Sequence, residues 1–300
     1  MPAGAGRALG LLLALSTPAA AEDGAAWLQR MAAALSGLDY SGTFVYVRDG
    51  QVDALRVLHR ADPHGAHERL TTLSGEPREL VRRGGQARLL GGIAAPVAAP
   101  DVAATADAAD WQPHYQVVLA GRDRVAGQAS RIVEIRPRDG FRYGYRLWLE
   151  EASALPLKSI AYGSDGVAVE QWMFTEIAIG RRPDDAELGT MESDRSPAAD
   201  PGPGAQSWQV LDVPRGYRLR RRAALPDGGE QQVYGDGLAS VSVYVEPLAA
   251  TDANLSGLLR RGALSMFGRV VGGQQVTVVG AVPAATVERF AQGVAALDGR

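Results

Sequence analysis

The stretch Thr43-Phe44-Val45-Tyr46-Val47-Arg48-Asp49-Gly50-Gln51-Val52-Asp53-Ala54-Leu55-Arg56-Val57-Leu58 decides the fold. Two runs rich in β-branched and aromatic residues flank an Asp-Gly pair, which tolerates the positive φ that a two-residue hairpin turn demands. Upstream, Trp27, Leu28, Met31 and Leu35 recur at spacings of three and four, which predicts an amphipathic helix ending near Gly37. Downstream, strand-like runs follow at Arg69–Leu73, Glu79–Arg83, Ala87–Leu90, Tyr115–Ala120, Arg131–Arg136, Arg142–Leu149, Leu157–Tyr162 and Val167–Ile179. Short Gly, Asp and Pro turns between them describe an antiparallel meander, interrupted by an Ala- and Pro-rich loop from Gly91 to Asp110.

From Arg181 to Ser207 the chain is rich in Pro, Asp, Gly and Ala, the composition of a linker. Past Trp208, strands are predicted near Tyr217–Arg222, Glu230–Tyr234, Ser240–Glu246 and Val276–Val279. A closing helix from Pro283 presents Val287, Phe290, Val294 and Leu297 on one face. The expected fold class is α+β. The N-terminal half is expected to be an antiparallel meander behind a helix, and the C-terminal half a smaller α+β domain. The expected boundaries are a leader over 1–21, a first module over 22–182, a linker over 183–207 and a second module over 208–300.

The 300-residue length fits two cores. A formal net charge of −3 supplies no basic field, so nucleic acid is not expected as a partner. The absence of Cys removes disulfides, thiolate metal sites, cysteine nucleophiles and a lipidated cysteine. Arg7, the apolar run Ala8–Leu15 and Ala19-Ala20-Ala21 form an expected export signal with cleavage near Ala21, so the mature chain is expected outside the cytoplasm.

A catalytic constellation is missing. Gly163-Ser164-Asp165-Gly166 reads as a hairpin turn rather than a nucleophile elbow, and the pairs Gly84-Gly85, Gly228-Gly229 and Gly272-Gly273 read as turns rather than phosphate loops. His59, His64 and His67 lie close together, but across a strand end and a proline turn, which favours solvated turn histidines over a metal site. Glu150-Glu151 and Asp184-Asp185 read as solvated loop charges, since adjacent strand residues point to opposite faces. No enzyme activity, cofactor or metal is expected.

Binding features are richer. Phe44, Tyr46, Tyr143, Tyr145, Trp148, Trp172 and Phe174 fall on predicted strands. They are either a sheet core beside a face of snorkelling arginines that includes Arg142 and Arg146, or the lining of an apolar cleft for a lipid or peptide. Arg218, Arg220, Arg221 and Arg222, with Tyr244 nearby, are either edge-protecting charges or an anchor for an acidic or phosphate-bearing partner.

Several segments carry a resemblance. They are Leu38–Phe44, Glu68-Arg69-Leu70, Leu73-Ser74-Gly75, Arg78-Glu79, Arg124–Gly127, Pro137-Arg138-Asp139, Arg142–Leu149 and Leu155–Lys158. Beyond the linker they are Pro214–Tyr217, Tyr234–Val243, Gly262-Ala263 and Val276–Gly280. Together and in this order the chain resembles the RseB/MucB family of periplasmic negative regulators of the envelope-stress sigma factor (sigma-E/AlgU type). The resemblance implies a first domain like the lipoprotein-carrier fold, an unclosed antiparallel β-barrel with a helix in its mouth, and a partner in the periplasmic domain of a single-pass anti-sigma factor (RseA/MucA type). It further implies shielding of that partner from proteolysis, and release by lipopolysaccharide or another envelope lipid. A carrier of lipid or lipoprotein is the alternative, and a homo-oligomer stays open.

Overall fold

The structure, a computed structural model, describes residues 23–63, 65–83, 86–90, 108–189, 207–226, 228–248 and 254–297. The leader, His64, Gly84-Gly85 and most of the 91–110 loop therefore lie outside the described residues.

Helix α1 (Gly24–Gly37) starts where the Asp23 carboxylate accepts the Ala25 N–H at 3.0 Å, and it buries Trp27, Leu28, Met31 and Ala34. Strands β1 (Tyr40–Arg48) and β2 (Gln51–Arg60) form the expected hairpin, with Asp49 and Gly50 at φ 47° and 73°. The sheet continues through β3 (His67–Thr72), β4 (Glu79–Arg83) and β5 (Gln86–Leu90). After the short α2 (Ala108–Trp111) come β6 (Tyr115–Val125), β7 (Gln128–Pro137), β8 (Gly144–Glu150), β9 (Pro156–Tyr162) and β10 (Ala168–Ile179). All ten strands form one antiparallel sheet in the order β5-β4-β3-β2-β1-β10-β9-β8-β7-β6. The outermost strands β5 and β6 are not hydrogen-bonded to each other, so the barrel is unclosed. Joining β1 to β10, strands about 130 residues apart, is the step that turns two meanders into one curved surface.

Three expectations in this module are corrected. Strand β8 begins at Gly144, so Arg142 and Tyr143 precede it, and Arg142 is buried rather than snorkelling. The start of the expected linker is structured: α3 (Asp185–Leu188) is capped by Asp184 and buries Leu188, while Arg182 pairs with Asp39 and Asp62. His59 is not solvated; it is buried, stacks on Tyr40 at 4.7 Å between centroids and bonds the Leu38 carbonyl.

The carboxylate pairs make local bonds, while Asp184 and Asp185 are exposed as expected. Glu150 accepts the Ala152 and Ser153 N–H groups, Glu151 pairs with Arg122, and Asp185 pairs with Arg60.

The second module contains β11 (Trp208–Val210), β12 (Arg218–Ala224), β13 (Glu230–Gly235), β14 (Ser240–Pro247), β15 (Gly257–Arg261), β16 (Leu264–Val271) and β17 (Gln274–Gly280). Helix α4 (Ala284–Gly293) and β18 (Val294–Ala296) close the chain. Six strands form a sheet ordered β12-β13-β14-β17-β16-β15, and β11 pairs with β18. Val241, Val243, Val245, Val276 and Val278 pack against Val287 and Phe290 of α4, as the alternation predicted. The helix ends at Gly293, so Val294 buries from a strand and not from the helical face. The β15–β16 hairpin was not foreseen, because Leu258-Leu259-Arg260-Arg261 shows no apolar-polar alternation.

Candidate functional site

The aromatic candidates divide by face. Phe44 lies opposite Phe174, and Tyr46 opposite Trp172, across β1 and β10. Phe44, Trp172 and Phe174 meet edge to face, with ring centroids 5.6–6.2 Å apart. Tyr143 and Tyr145 pack in the neighbouring cluster with Trp27, Leu28 and Met31 of α1. Trp148 sits on the opposite face of β8 from Tyr145. There its indole N–H donates to Asp123 at 2.9 Å, and the Lys158 ammonium lies 4.3 Å from its ring centre. Tyr143 and Tyr145 thus bury in one cluster, while Trp148, although on the other face of β8, buries in the same cluster as Tyr46, Trp172 and Phe174, with Phe44 packed against it.

The arginine run also divides. Arg218 and Arg220 both grip Asp110 of the first module, and the Arg220 hydrogen bond holds that carboxyl below its usual range. Arg222 pairs with Glu230 and donates to the Trp208 carbonyl. Arg221 donates to Gln231, whose amide in turn donates to the Tyr244 hydroxyl. By register, Arg221 shares a row with Val233, Ser242, Val279, Met266 and Leu259, on the sheet face turned away from α4.

The most densely bonded polar group joins the two modules. Arg142 and Asp236 are each 0% exposed. Arg142 gives its Nε–H to Asp236, Nη1 to Asp139, and Nη2 to the Arg215 carbonyl at 2.7 Å. Asp236 also accepts the Tyr115 hydroxyl at 3.0 Å and the Leu238 and Ala239 N–H groups at 2.9 and 2.8 Å. The Phe141 carbonyl accepts both the Tyr217 hydroxyl and the Thr286 hydroxyl. Burial pushes the Tyr115 and Tyr217 hydroxyls well above their usual range, so both remain neutral donors. Gly216 stands at φ +95°, where a Cβ would lie 2.2 Å from His114 Nε2, so glycine alone allows the second module this close. Leu238 and Ala263 complete the joint by burying within the first module's cluster.

A second contact lies at the β15–β16 turn. The Gly262 N–H donates to Asp49 at 2.8 Å and the Ala263 N–H to Glu170 at 3.2 Å. Burial raises the Glu170 carboxyl above its usual range, outweighing the Tyr46 hydroxyl, the Ala263 N–H and Arg48. Asp236, Asp139 and Gly216 stand inside segments that carry the resemblance, but their bonding role needed the structure. Asp110, Tyr115 and Glu170 carried no sequence signal. No group of metal-ligating side chains, and no helix long and apolar enough to cross a membrane, occurs among the described residues.

Fold and joint together define a two-module α+β protein built on an open antiparallel sheet, its halves fixed to each other by a buried ion-pair knot. The chain belongs to the MucB/RseB family: its N-terminal domain matches residues 23–192 and its C-terminal domain residues 203–295. It is 35% identical to the sigma factor AlgU regulatory protein MucB of Pseudomonas aeruginosa over 94% of each chain. To the sigma-E factor regulatory protein RseB of Escherichia coli it is 28% identical, over 95% of this chain and 94% of that one. The solved structure of MucB in complex with MucA(peri) is similar at a TM-score of 0.72 and 30% identity, covering 92% of this chain and all of that one. MucB alone gives a TM-score of 0.69 at 32% identity, over 92% and 98%.

Proposed function

We propose that this chain is an exported periplasmic regulator that binds the periplasmic region of a single-pass anti-sigma factor and keeps it from the first cut of a proteolytic cascade. It thereby restrains the sigma factor that answers envelope stress. The observation that carries the reading is the pairing of both family domains, in order and over nearly all of the chain, with relatives named as sigma-factor regulators, one solved in complex with MucA(peri). A bound segment is withheld from a protease that needs it extended and free, and a ligand that prefers the unbound state releases it by its differential affinity.

In this reading lipopolysaccharide or another envelope lipid enters between α1 and the sheet, among Phe44, Tyr46, Tyr143, Tyr145, Trp172 and Phe174, whose rings must part to admit an acyl chain. Arg221 and Tyr244 are the partner contacts that the open sheet face favours; Arg218 and Arg220 reach a partner only by leaving Asp110. The aromatic side also fits a lipid or lipoprotein carrier, which would move a fluorescent lipopeptide between vesicles. The deciding experiment adds the purified mature chain to its cognate anti-sigma periplasmic domain and the initiating protease. Cleavage should slow in proportion to the chain added and recover with lipopolysaccharide; unchanged cleavage in both arms sinks the reading.

A further inference from the structure

On the side of the first module away from α1, the ends of β7, β8 and β9 and the turns at 137–140 and 163–166 enclose an open cleft of about 630 Å³. Its floor is a carboxylate held between two guanidinium groups. Glu134 Oε2 accepts the Arg136 Nε–H at 3.0 Å and Oε1 accepts the Arg146 Nε–H at 2.9 Å, each guanidinium adding its Nη2 to the same oxygen. Burial alone would raise the Glu134 carboxyl; the two arginines hold it below its usual range, so it stays ionised and keeps both cations in place. Each Nη1 is left without a partner among the described residues.

Arg138 is exposed, and its side chain makes no hydrogen bond or ion pair with the described residues. Asp139, the other acid of the cleft, bonds Arg142, whose charge the buried Asp236 already meets. Three lining cations, Arg136, Arg138 and Arg146, therefore face two carboxylates, Glu134 and Asp139, and the cleft keeps an excess of positive charge in a chain of net charge −3.

We infer that this cleft is a docking site for a short, extended, acidic polypeptide segment. Spacing favours a peptide over a single anion. Arg136 and Arg138 are two apart, and the Arg138 N–H donates to the His114 carbonyl at 2.9 Å as the last ladder bond of β7, at the point where the chain bends away. Residues two apart on a strand share a face and lie about 6.8 Å apart, the spacing of carboxylates at alternate positions of an extended peptide. Arg146, on the neighbouring strand, would hold such a peptide from its other side, and the Tyr162 ring offers a wall for the aliphatic side chains between the acids. The inference stands whether or not the chain restrains an anti-sigma factor.

The test uses the full mature chain and a fluorescein-labelled hexapeptide of Glu-Leu repeated three times, followed by polarisation. Wild type should bind, more weakly as salt rises. Arg138→Gln, which disturbs no internal bond, should weaken binding about tenfold, and the double variant Arg136→Gln/Arg146→Gln at least as much. Arg56→Gln, on β2, should bind as wild type. Absence of wild-type binding at millimolar peptide, or wild-type affinity in Arg138→Gln, overturns the inference. So does equal affinity for the same composition in blocks, three Glu then three Leu. Full displacement by millimolar inorganic phosphate would make the cleft a simple anion pocket. Tighter binding of phosphatidylglycerol vesicles through the same arginines would make it a membrane contact. Either result removes the peptide assignment.

Discussion

Two of the contacts between the modules are built from different physics. Around Arg142 and Asp236 both charges are removed from water, and every hydrogen bond is made inside the protein. At the Gly262-Ala263 turn, backbone N–H groups meet two carboxylates on the rim of the first sheet, and one of those carboxylates is uneasy in its charged form. The first contact fixes position, because a displaced partner strands a buried charge. In the second, the Gly262 N–H is the looser half, since on leaving Asp49 it is met by water, whereas Ala263 is buried in the first module's cluster.

The sharpest way to break this contrast is Asp236→Ala. It leaves the Arg142 guanidinium buried without its main counter-charge and should lower stability by about 3–5 kcal/mol in urea unfolding. Arg142→Met added to it should restore more than half of the loss, since an apolar replacement of the whole pair carries no stranded charge. A loss under about 1 kcal/mol for the single variant would mean that water reaches the pair and that the two contacts are alike.

Gly216→Ala tests the same contact by geometry rather than charge. The φ of +95° and the 2.2 Å approach to His114 should cost about 1–3 kcal/mol together. Adding His114→Ala should return only the steric part, because the backbone strain remains. Complete rescue by His114→Ala would show that the conformation at 216 carries no cost.

Much of this architecture is legible in the sequence, and the failures have local causes. The Asp49-Gly50 turn fixed its hairpin because both residues had to take positive φ, and the alternating valines of β14 named the face against α4. Pro137-Arg138-Asp139, Arg142–Leu149, Pro214–Tyr217 and Tyr234–Val243 stood out as resembling segments, and the structure brings a residue of each to the joint. The meaning of Arg142 was lost because a period of two was carried past the start of β8, which turned a buried residue into a snorkelling one. The pairing of β1 with β10 has no local signal at all, since register between distant strands is set by the surface they jointly bury. Arg218 and Arg220 stayed open between edge charges and a partner anchor because Asp110, over 100 residues away, is silent in any local window. The basic cleft was missed for the opposite reason: Glu134, Arg136 and Arg146 are ordinary on separate strands and become a site only when β7 and β8 pair.

Glu170→Gln addresses the second contact and should give the smallest effect, with a distinctive pH dependence. A carboxyl whose folded pKa lies above its unfolded value stabilises the fold in its protonated form. That contribution is complete below the ordinary glutamate range and is lost as pH rises through the raised value. Glutamine keeps an oxygen for the Ala263 N–H and never ionises. The variant should therefore match wild type near pH 4 and melt higher at pH 7.5, by about 2 °C. Asp110 runs the other way: Arg220 depresses its pKa, so its grip is present above the ordinary aspartate range and is lost in acid. Wild-type melting alone mixes the two, and the Glu170→Gln difference curve separates them. A difference that stays constant from pH 4 to 7.5, or grows toward acid, would show that Glu170 is already well solvated, and that this contact owes nothing to a buried charge.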